Sequence, residues 1–367
     1  MFFNKYRLED ITDKIGDGIH GTPEYDDNGD FYFVNGNNLV HGDIVFKNDT
    51  KRINEEQYLK NKRDLNKNTL LVSINGTLGN VAKYNNEKII LGKSACYINV
   101  KDEYNVDYVY FVFESPKFKK YLQYGANGTT IKNVPLSAIR NYEISIPSKE
   151  NQDKIVKILK SIEDKIKLNN KINNNLHELE KNLYKEYFKD LDDTNTQKLG
   201  DLCKIKYGKG LPTTKIETEG YPVYGGNGII GYYHEFMYEE SQVLISCRGA
   251  ASGNVIVSKP HSFVTNNSLI LECDKKYHHY LKQYSLDNYY YEYTTGSAQP
   301  QITIDNIKDI ALNIPSEELL DKFNKQMEPL ENKYFSNLEE NKKLEQLRDT
   351  LLPKLMNDEI DLDNIEI

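Results

Sequence analysis

The sequence predicts an α+β protein built twice on one plan. Each copy is a globular α/β domain followed by a long α-helix, and the two helices are expected to pair as an antiparallel coiled coil. Three observations lead there. Gly128-Thr129-Thr130 runs through Leu136 and Ile139 to Ile144-Ser145-Ile146-Pro147-Ser148, and Gly296-Ser297-Ala298 runs through Ile304 and Ile307 to Leu312-Asn313-Ile314-Pro315-Ser316, every matched position 168 residues on and without a gap. Both copies lead straight into apolar residues spaced by threes and fours, the mark of a helix with one buried stripe. At 367 residues the chain is long enough for two domains that each bury a core. The predicted divisions are a first domain at 1–149, a helix at 150–190, a connector at 191–196, a second domain at 197–315, a helix at 316–357 and an acidic tail at 358–367.

The first domain reads as short strands between turns. Phe31-Tyr32-Phe33-Val34, Leu70-Leu71-Val72-Ser73, Lys88-Ile89-Ile90-Leu91 and Tyr97-Ile98-Asn99-Val100 are β-branched or aromatic runs bounded by Gly, Asn and Asp. Asp107 to Tyr124 reads as one helix, with Val109, Val112, Phe113 and Tyr121 on its apolar stripe and Lys117, Lys119 and Lys120 exposed. Those lysines suit either phosphate contact or plain solvation.

After Pro147 the pattern changes. Ile155, Leu159, Ile162, Ile166, Asn169, Ile172, Leu176, Leu179 and Leu183 average 3.5 residues per step, a coiled-coil seam carrying one asparagine. Ser148 or Asn151 can cap its N-terminus. About 38 helical residues would extend roughly 57 Å. Phe323, Met327, Leu330, Tyr334, Asn337, Asn341, Leu344, Leu347 and Leu351 repeat the seam 168 residues later, with Asn337 falling on Asn169. A buried polar pair at one level fixes the register of two helices; each Asn facing solvent is the alternative. The helices either pair within the chain, placing the domains at opposite ends, or pair with a partner's helices.

The second cycle opens at Leu199-Gly200-Asp201-Leu202, which echoes Leu8-Glu9-Asp10-Ile11. Leu244-Ile245-Ser246-Cys247-Arg248-Gly249 with Gly253-Asn254-Val255 echoes Leu71-Val72-Ser73-Ile74-Asn75-Gly76 with Gly79-Asn80-Val81. The spacing falls from 191 residues at the first echo to 173 at the second and then settles at 168. Strands and helix are therefore shared, and the length differences lie in loops, as expected when one scaffold carries two different recognition surfaces.

Composition bounds the function. Charged residues are 28% and hydrophobic ones 38%, no apolar run approaches a membrane span, and the start Met1-Phe2-Phe3-Asn4-Lys5-Tyr6-Arg7 lacks a signal-peptide core. Cys96, Cys203, Cys247 and Cys273 lie far apart with no CxxC pair, so a reducing, cytoplasmic location without membrane contact is expected. The net charge of −8 counts mildly against nucleic acid. Much of that acid sits in the connector (Asp190, Asp192, Asp193) and the tail (Asp358, Glu359, Asp361, Asp363, Glu366), and one basic face is what matters. The 28 tyrosines, with no tryptophan and abundant asparagine, suit polar contact surfaces; codon usage of an AT-rich genome explains them as well.

Catalytic signals fail on inspection. Gly226-Asn227-Gly228-Ile229-Ile230-Gly231 matches GxGxxG but no long amphipathic helix follows, so it reads as a turn. Gly92-Lys93-Ser94 resembles the end of a phosphate loop, but Glu87 stands where the earlier glycine is required. No Asn-Pro-Pro-Tyr motif for amino methylation occurs. His278-His279 is an isolated pair without supporting Cys or carboxylate spacing, so no metal site is expected. The chain is expected to have no active site of its own.

The closing segment Leu347-Arg348-Asp349-Thr350-Leu351-Leu352-Pro353-Lys354-Leu355-Met356-Asn357-Asp358-Glu359-Ile360 resembles the C-terminal signature of type I restriction-modification specificity subunits, a family that often has Gly where Asp358 stands. The Ile-Pro-Ser segments leading into long helices resemble the family's two spacer regions. Gln152 fits the first, and Phe323-Asn324-Lys325 departs from the usual Gln-initiated start in the second. Asp17-Gly18-Ile19-His20-Gly21-Thr22-Pro23, Tyr207-Gly208-Lys209-Gly210 and Tyr221-Pro222-Val223-Tyr224-Gly225-Gly226-Asn227-Gly228 resemble loops of the family's target-recognition domains. The resemblance covers essentially the whole chain.

It implies two target-recognition domains that read a split, asymmetric site on double-stranded DNA, with half-sites about one helical turn apart, and helices that act as a ruler. Two methyltransferase subunits would dock on the helices and carry S-adenosylmethionine. Restriction subunits would carry ATP and Mg, leaving no cofactor or metal in this chain. A methylation-only or other bipartite system without a restriction subunit is the alternative, and a coiled-coil scaffold that binds proteins is the reading from another class.

Base edges are read by Arg, Lys, Asn and Gln, and phosphates by any donor. The candidate DNA contacts are therefore loop residues. In the first domain they are His20, Thr22, Tyr25, Asn37, Asn127, Thr129, Thr130 and Lys132. In the second they are Lys209, Tyr224, Asn227, Arg248, Asn266, Asn267, Ser297, Gln299 and Gln301, the two glutamines being suited to bidentate pairing with adenine.

Overall fold

The computed structural model describes residues 3–128, 132–191, 195–288, 290–296, 299–357 and 359–360. They form two compact units, Met1–Lys167 with Asn341–Ile367, and Leu168–Glu340.

Unit 1 runs in order through β1 (Asn4–Arg7), β2 (Thr12–Asp17), β3 (Phe31–Val34), β4 (Leu39–Val40), β5 (Asp43–Ile44), β6 (Arg52–Ile53), α1 (Glu55–Asn61), β7 (Thr69–Ser73), β8 (Val81–Lys83), β9 (Ile89–Leu91), β10 (Ala95–Val100), α2 (Val106–Glu114), α3 (Pro116–Gly125), α4 (Leu136–Arg140), β11 (Glu143–Ile146) and the start of α5 (Lys149–Phe188). Its centre is an antiparallel sheet in the order β2-β10-β7-β8. Every residue of β7 and β10 is buried, which is why both read as continuous apolar runs. Side chains alternate between the faces of a strand, and here they divide cleanly. Leu70, Val72, Cys96 and Ile98 enter a core with the helices. Leu71, Ala95 and Tyr97 enter a smaller core under the sheet β6-β3-β9, in which β3 and β9 run parallel.

The single helix expected over 107–124 is two helices. Ser115 ends α2 and caps α3, its Oγ accepting from Phe118 N at 3.3 Å, and Pro116 takes the first turn of α3. Proline has no N–H to continue α2 and disfavours helical geometry in the residue before it, so the boundary falls there.

Unit 2 repeats the plan. It contains β12 (Thr196–Lys198), α6 (Leu199–Leu202), β13 (Cys203–Tyr207), β14 (Tyr221–Gly225), β15 (Gly228–Tyr233), β16 (Val243–Ser246), β17 (Val255–Val257), β18 (Phe263–Val264), β19 (Ser268–Cys273), α7 (Lys275–Asp287), α8 (Ile304–Ile307), β20 (Ala311–Asn313) and most of α9 (Glu317–Met356). Its central sheet, β13-β19-β16-β17, matches β2-β10-β7-β8 strand for strand. The parallel pair β14–β18 matches β3–β9, and β12–β20 matches β1–β11. The two units are one topology written twice, as the sequence predicts.

The helices are antiparallel inside each unit. In unit 1, Ile155, Val156 and Leu159 share the main core with Leu352 and Leu355, and Glu163 lies 4.0 Å from Arg348. In unit 2, Phe188, Leu320, Phe323 and Met327 enter the main core, with Leu183 and Leu330 packed at its edge. Ile162 is buried, while Ile166, Leu176, Tyr334, Leu344 and Leu351 are half-buried.

Two seam expectations need correction. Leu179 and Leu347 are 44% and 46% exposed, and Asn173 and Glu180 take the inward positions. A straight α-helix drifts about 20° per heptad from a 3.5 repeat, so a stripe extrapolated at 3.5 leaves the interface. Asn169 and Asn337 are fully buried but do not pair with each other: Asn337 Nδ2 donates to Asn173 Oδ1 (2.8 Å) and Asn169 Nδ2 to Glu340 Oε2 (2.8 Å). Among the described residues no helix is long and apolar enough to cross a membrane.

Candidate nucleic-acid interface

Antiparallel pairing fixes which loops meet. In unit 1, Cys96 pairs with Asp17, Ala95 with Ser73, and Val72 with Val81. The loop after β2, the turn before β10 and the loop between β7 and β8 therefore leave from one end of the sheet. Three further segments join them. Ile19 bridges Gly92, Gly36 N donates to Ser94 Oγ (2.9 Å), and Asn133 bridges both Asn75 and Asn127. Gly76 N donates to the Lys132 carbonyl (3.1 Å) and Val134 N to the Ile74 carbonyl (2.8 Å), which docks the 126–133 loop on the β7–β8 loop.

Unit 2 builds the same end by the same bonds. Tyr207 pairs with Leu269, Ser246 with Ser268, and Ile245 with Val255. Lys209 bridges Thr265 as Ile19 bridges Gly92, and Gln301 bridges both Arg248 and Thr295 as Asn133 bridges Asn75 and Asn127. Gly249 N donates to the Pro300 carbonyl (3.0 Å) and Ile302 N to the Cys247 carbonyl (3.1 Å).

Two glycine pairs make this end possible. A Cβ on Gly18 would lie 2.3 Å from the Leu91 and Gly92 carbonyl oxygens, and one on Gly208 would lie 2.2 Å from the Thr265 oxygen, so only glycine lets the first loop lie along β9 or β18. Gly76 (φ 76°) and Gly249 (φ 74°) face open space, and their left-handed backbone is what calls for glycine.

The candidates gather accordingly. His20, Thr22, Asn37, Asn127 and Lys132 are exposed in the unit 1 loops, and Lys209, Asn227, Arg248, Asn266, Asn267, Gln299 and Gln301 in the unit 2 loops. His20 is held by Asp17, Nε2 to Oδ2 at 2.8 Å. Thr129, Thr130 and Ser297 lie outside the described residues. Tyr25 is 46% exposed and sits instead beside Phe33, with Lys51 Nζ 5.8 Å from its ring centre. Tyr224 is a correction: it is 4% exposed, and its hydroxyl accepts from Lys259 N at 2.9 Å. The turn-like sequence around it suggested a loop, but Tyr224 is a β14 residue turned into the small core with Leu244, Val264 and Ile270.

The segments 18–23, 35–38, 74–80, 92–95 and 125–133 contain no Asp or Glu, nor do 208–212, 225–228, 247–254, 265–268 and 295–301. In a chain with 55 acidic residues this leaves two polar, acid-free loop ends that carry Lys93, Lys132, Lys209 and Arg248. A polyanion meets donors on these segments, and the Asp17 carboxylate at the edge of the unit 1 end is engaged by His20.

The unit 1 loop end also presents Asn75, Thr77 and Lys93, which sequence reasoning did not single out. Lys93 belongs to the Gly92-Lys93-Ser94 turn dismissed as a phosphate loop, and pairing it with Asn266 at the same turn of the second copy would have found it. Sequence reasoning also missed a cation–aromatic cluster on β3 and β6. Arg52 lies 5.1 Å from the Tyr32 ring centre and donates to its hydroxyl (2.8 Å), Phe46 stacks on Tyr32 at 4.1 Å, and Lys88 lies 5.6 Å from the Phe31 ring centre. Such clusters form between loops distant in sequence, so no local spacing announces them.

Residues 3–178 and 192–348 each match the model of the type I restriction modification DNA specificity domain. The chain is 24% identical to the type I restriction enzyme MjaIX specificity subunit of Methanocaldococcus jannaschii over 98% of this chain and 94% of that protein. It is 29% identical to the EcoprrI specificity subunit of Escherichia coli over 34% of each. The structure resembles the type I restriction-modification S subunit of M. genitalium with a TM-score of 0.59, at 21% identity and 96% coverage of both chains. With both copies of that domain accounting for most of its length, the chain belongs to the family of type I restriction-modification specificity subunits.

Proposed function

We propose that each unit reads one half of a bipartite, asymmetric site on double-stranded DNA through its acid-free loop end. The chain then serves as the non-catalytic reader for two methyltransferase subunits, which bring S-adenosylmethionine, and for restriction subunits, which bring ATP and Mg, all in the cytoplasm. The duplicated loop end carries this reading: one hydrogen-bonded framework presents Asn75, Asn133 and Asn127 in one unit and Arg248, Gln301 and Thr295 in the other. Identical frames with different donors suit two different half-sites.

The experiment is to purify the chain with and without its methyltransferase and map methylation. Modification of one split sequence only in the complex supports the proposal. Methylation by the chain alone, or a continuous palindromic target, overturns it. A complex that methylates and recruits no restriction subunit would select the methylation-only form.

A further inference from the structure

α7 carries His278 and His279 side by side, and the fold supplies the carboxylate that their sequence neighbours lack. One nitrogen of each imidazole and an oxygen of Glu331, on α9, all lie within 4.8 Å of one another. His278 Nε2 is 4.0 Å from Glu331 Oε1 and 3.1 Å from Ser241 Oγ. Two metal–ligand bonds of about 2.0–2.1 Å reach across the 4.0 Å pair, which becomes a tetrahedral edge on contracting by about 0.6 Å, while a pair as wide as 4.8 Å must close by about 1.4 Å.

The three side chains line a cavity of about 270 Å³ shared with Glu240, Asp321, Asn324 and Glu328. Two polar atoms in its wall are buried with no hydrogen-bond partner, His279 Nδ1 and Asn324 Oδ1, and His279 is 9% exposed. Buried polar atoms are almost always satisfied, so an unpaired lone pair beside a cavity needs an explanation.

The charges agree. Lys282 Nζ is held by Glu331 (2.9 Å) and Glu180 (3.1 Å), so two buried carboxylates face one ammonium and a negative charge is left over. Glu239, Glu240, Asp321 and Glu328 outnumber Lys275 and Lys276 around the cavity.

We propose that His278, His279 and Glu331 form a binding site for a Zn2+-class divalent cation, with Asn324 or water completing the coordination. Two imidazoles and one carboxylate favour such an ion over Mg2+ or Ca2+, which prefer all-oxygen sites.

The test strips the full chain with chelator and titrates it with Zn2+ by calorimetry and with Co2+ by visible absorption. One ion per chain, intense Co2+ bands of low coordination and a rise in the Tm of this unit by roughly 5–10 °C at a hundredfold excess over Kd are expected. The H278Q/H279Q double variant and E331Q should each weaken binding by at least about 100-fold, while H20Q/H234Q should not change it. Failure of the wild-type chain to retain one ion overturns the proposal, as does a weak octahedral Co2+ spectrum or unchanged binding in the double variant. Should the variants misfold by circular dichroism, the wild-type stoichiometry and Co2+ spectrum decide.

Discussion

The two units solve one packing problem with different sets of charges. Tyr108 and Tyr280 both donate a hydroxyl hydrogen bond to a strand carbonyl, Ser145 in unit 1 and Asn313 in unit 2, which makes them equivalent. Two residues further on, Tyr110 donates to Glu163 (3.2 Å), with Arg348 4.0 Å from the same carboxylate. At the same places unit 2 has Lys282, Glu331 and Glu180. One unit thus buries a tyrosine, a carboxylate and a guanidinium, and the other an ammonium between two carboxylates. The backbone plan is kept while each buried charge is balanced by different local partners.

The largest break in this comparison should come from K282M. It leaves Glu180 and Glu331 buried without a cation and should cost unit 2 about 3–5 kcal/mol, whereas Y110F should cost unit 1 only about 1 kcal/mol. Urea unfolding followed by hydrogen exchange in each unit measures both, and equal costs would refute the contrast. G18A and G208A come next, each forcing a Cβ into backbone at 2.2–2.3 Å, with a loss of about 3 kcal/mol confined to the altered unit. Loss spread evenly over both units would contradict two independent loop ends.

Acid separates the units with opposite signs. In the metal-free chain burial holds His279 down at about 4 in the folded state and it takes up a proton more readily when unfolded, so unit 2 should lose on the order of 2 kcal/mol between pH 6.5 and 5. Burial raises Glu163, despite the opposing pull of Arg348, so the folded unit 1 holds that proton more tightly and should gain stability as pH falls toward the ordinary glutamate range. Glu331 is depressed by Lys282 and the histidines against its burial, and its contribution is lost only below that range. Unit 2 keeping its stability across pH 6.5–5, or unit 1 losing stability as pH falls toward the glutamate range, would count against these assignments.

The smallest effects concern DNA. R248A should weaken binding by about 1–2 kcal/mol and relax one half-site, and N75A should do less at the other. Competition assays with half-site variants show whether the two losses fall on different halves.

Much of this was legible in the sequence because it is local or repeated. The strands came from apolar runs and the twin plan from the 168-residue spacing. The echoed Gly76 and Gly249 marked matching loops, but the bridges that tie those loops together were visible only in the structure. The seam failed at Leu179 and Leu347 because a 3.5 repeat was carried too far along a straight helix. Tyr224 failed because a glycine-rich neighbourhood concealed a strand. The pairing of Glu331 with His278 was illegible for another reason: the residues are 53 positions apart on different helices, and only antiparallel packing brings them together.

The division of the chain has a consequence for its biogenesis. Unit 2 is continuous from residue 168 to 340, whereas the core of unit 1 needs Leu352 and Leu355 from the far end. On the ribosome the second unit is complete first, and the first waits with Ile155, Val156 and Leu159 uncovered until the last helix emerges. A message cut short within α9, just past residue 340, yields a chain with one finished unit and one exposed apolar strip, a form suited to disposal by chaperones and proteases. Only a chain translated through Leu355 closes both units, so synthesis of the last turns of α9 decides whether unit 1 can fold.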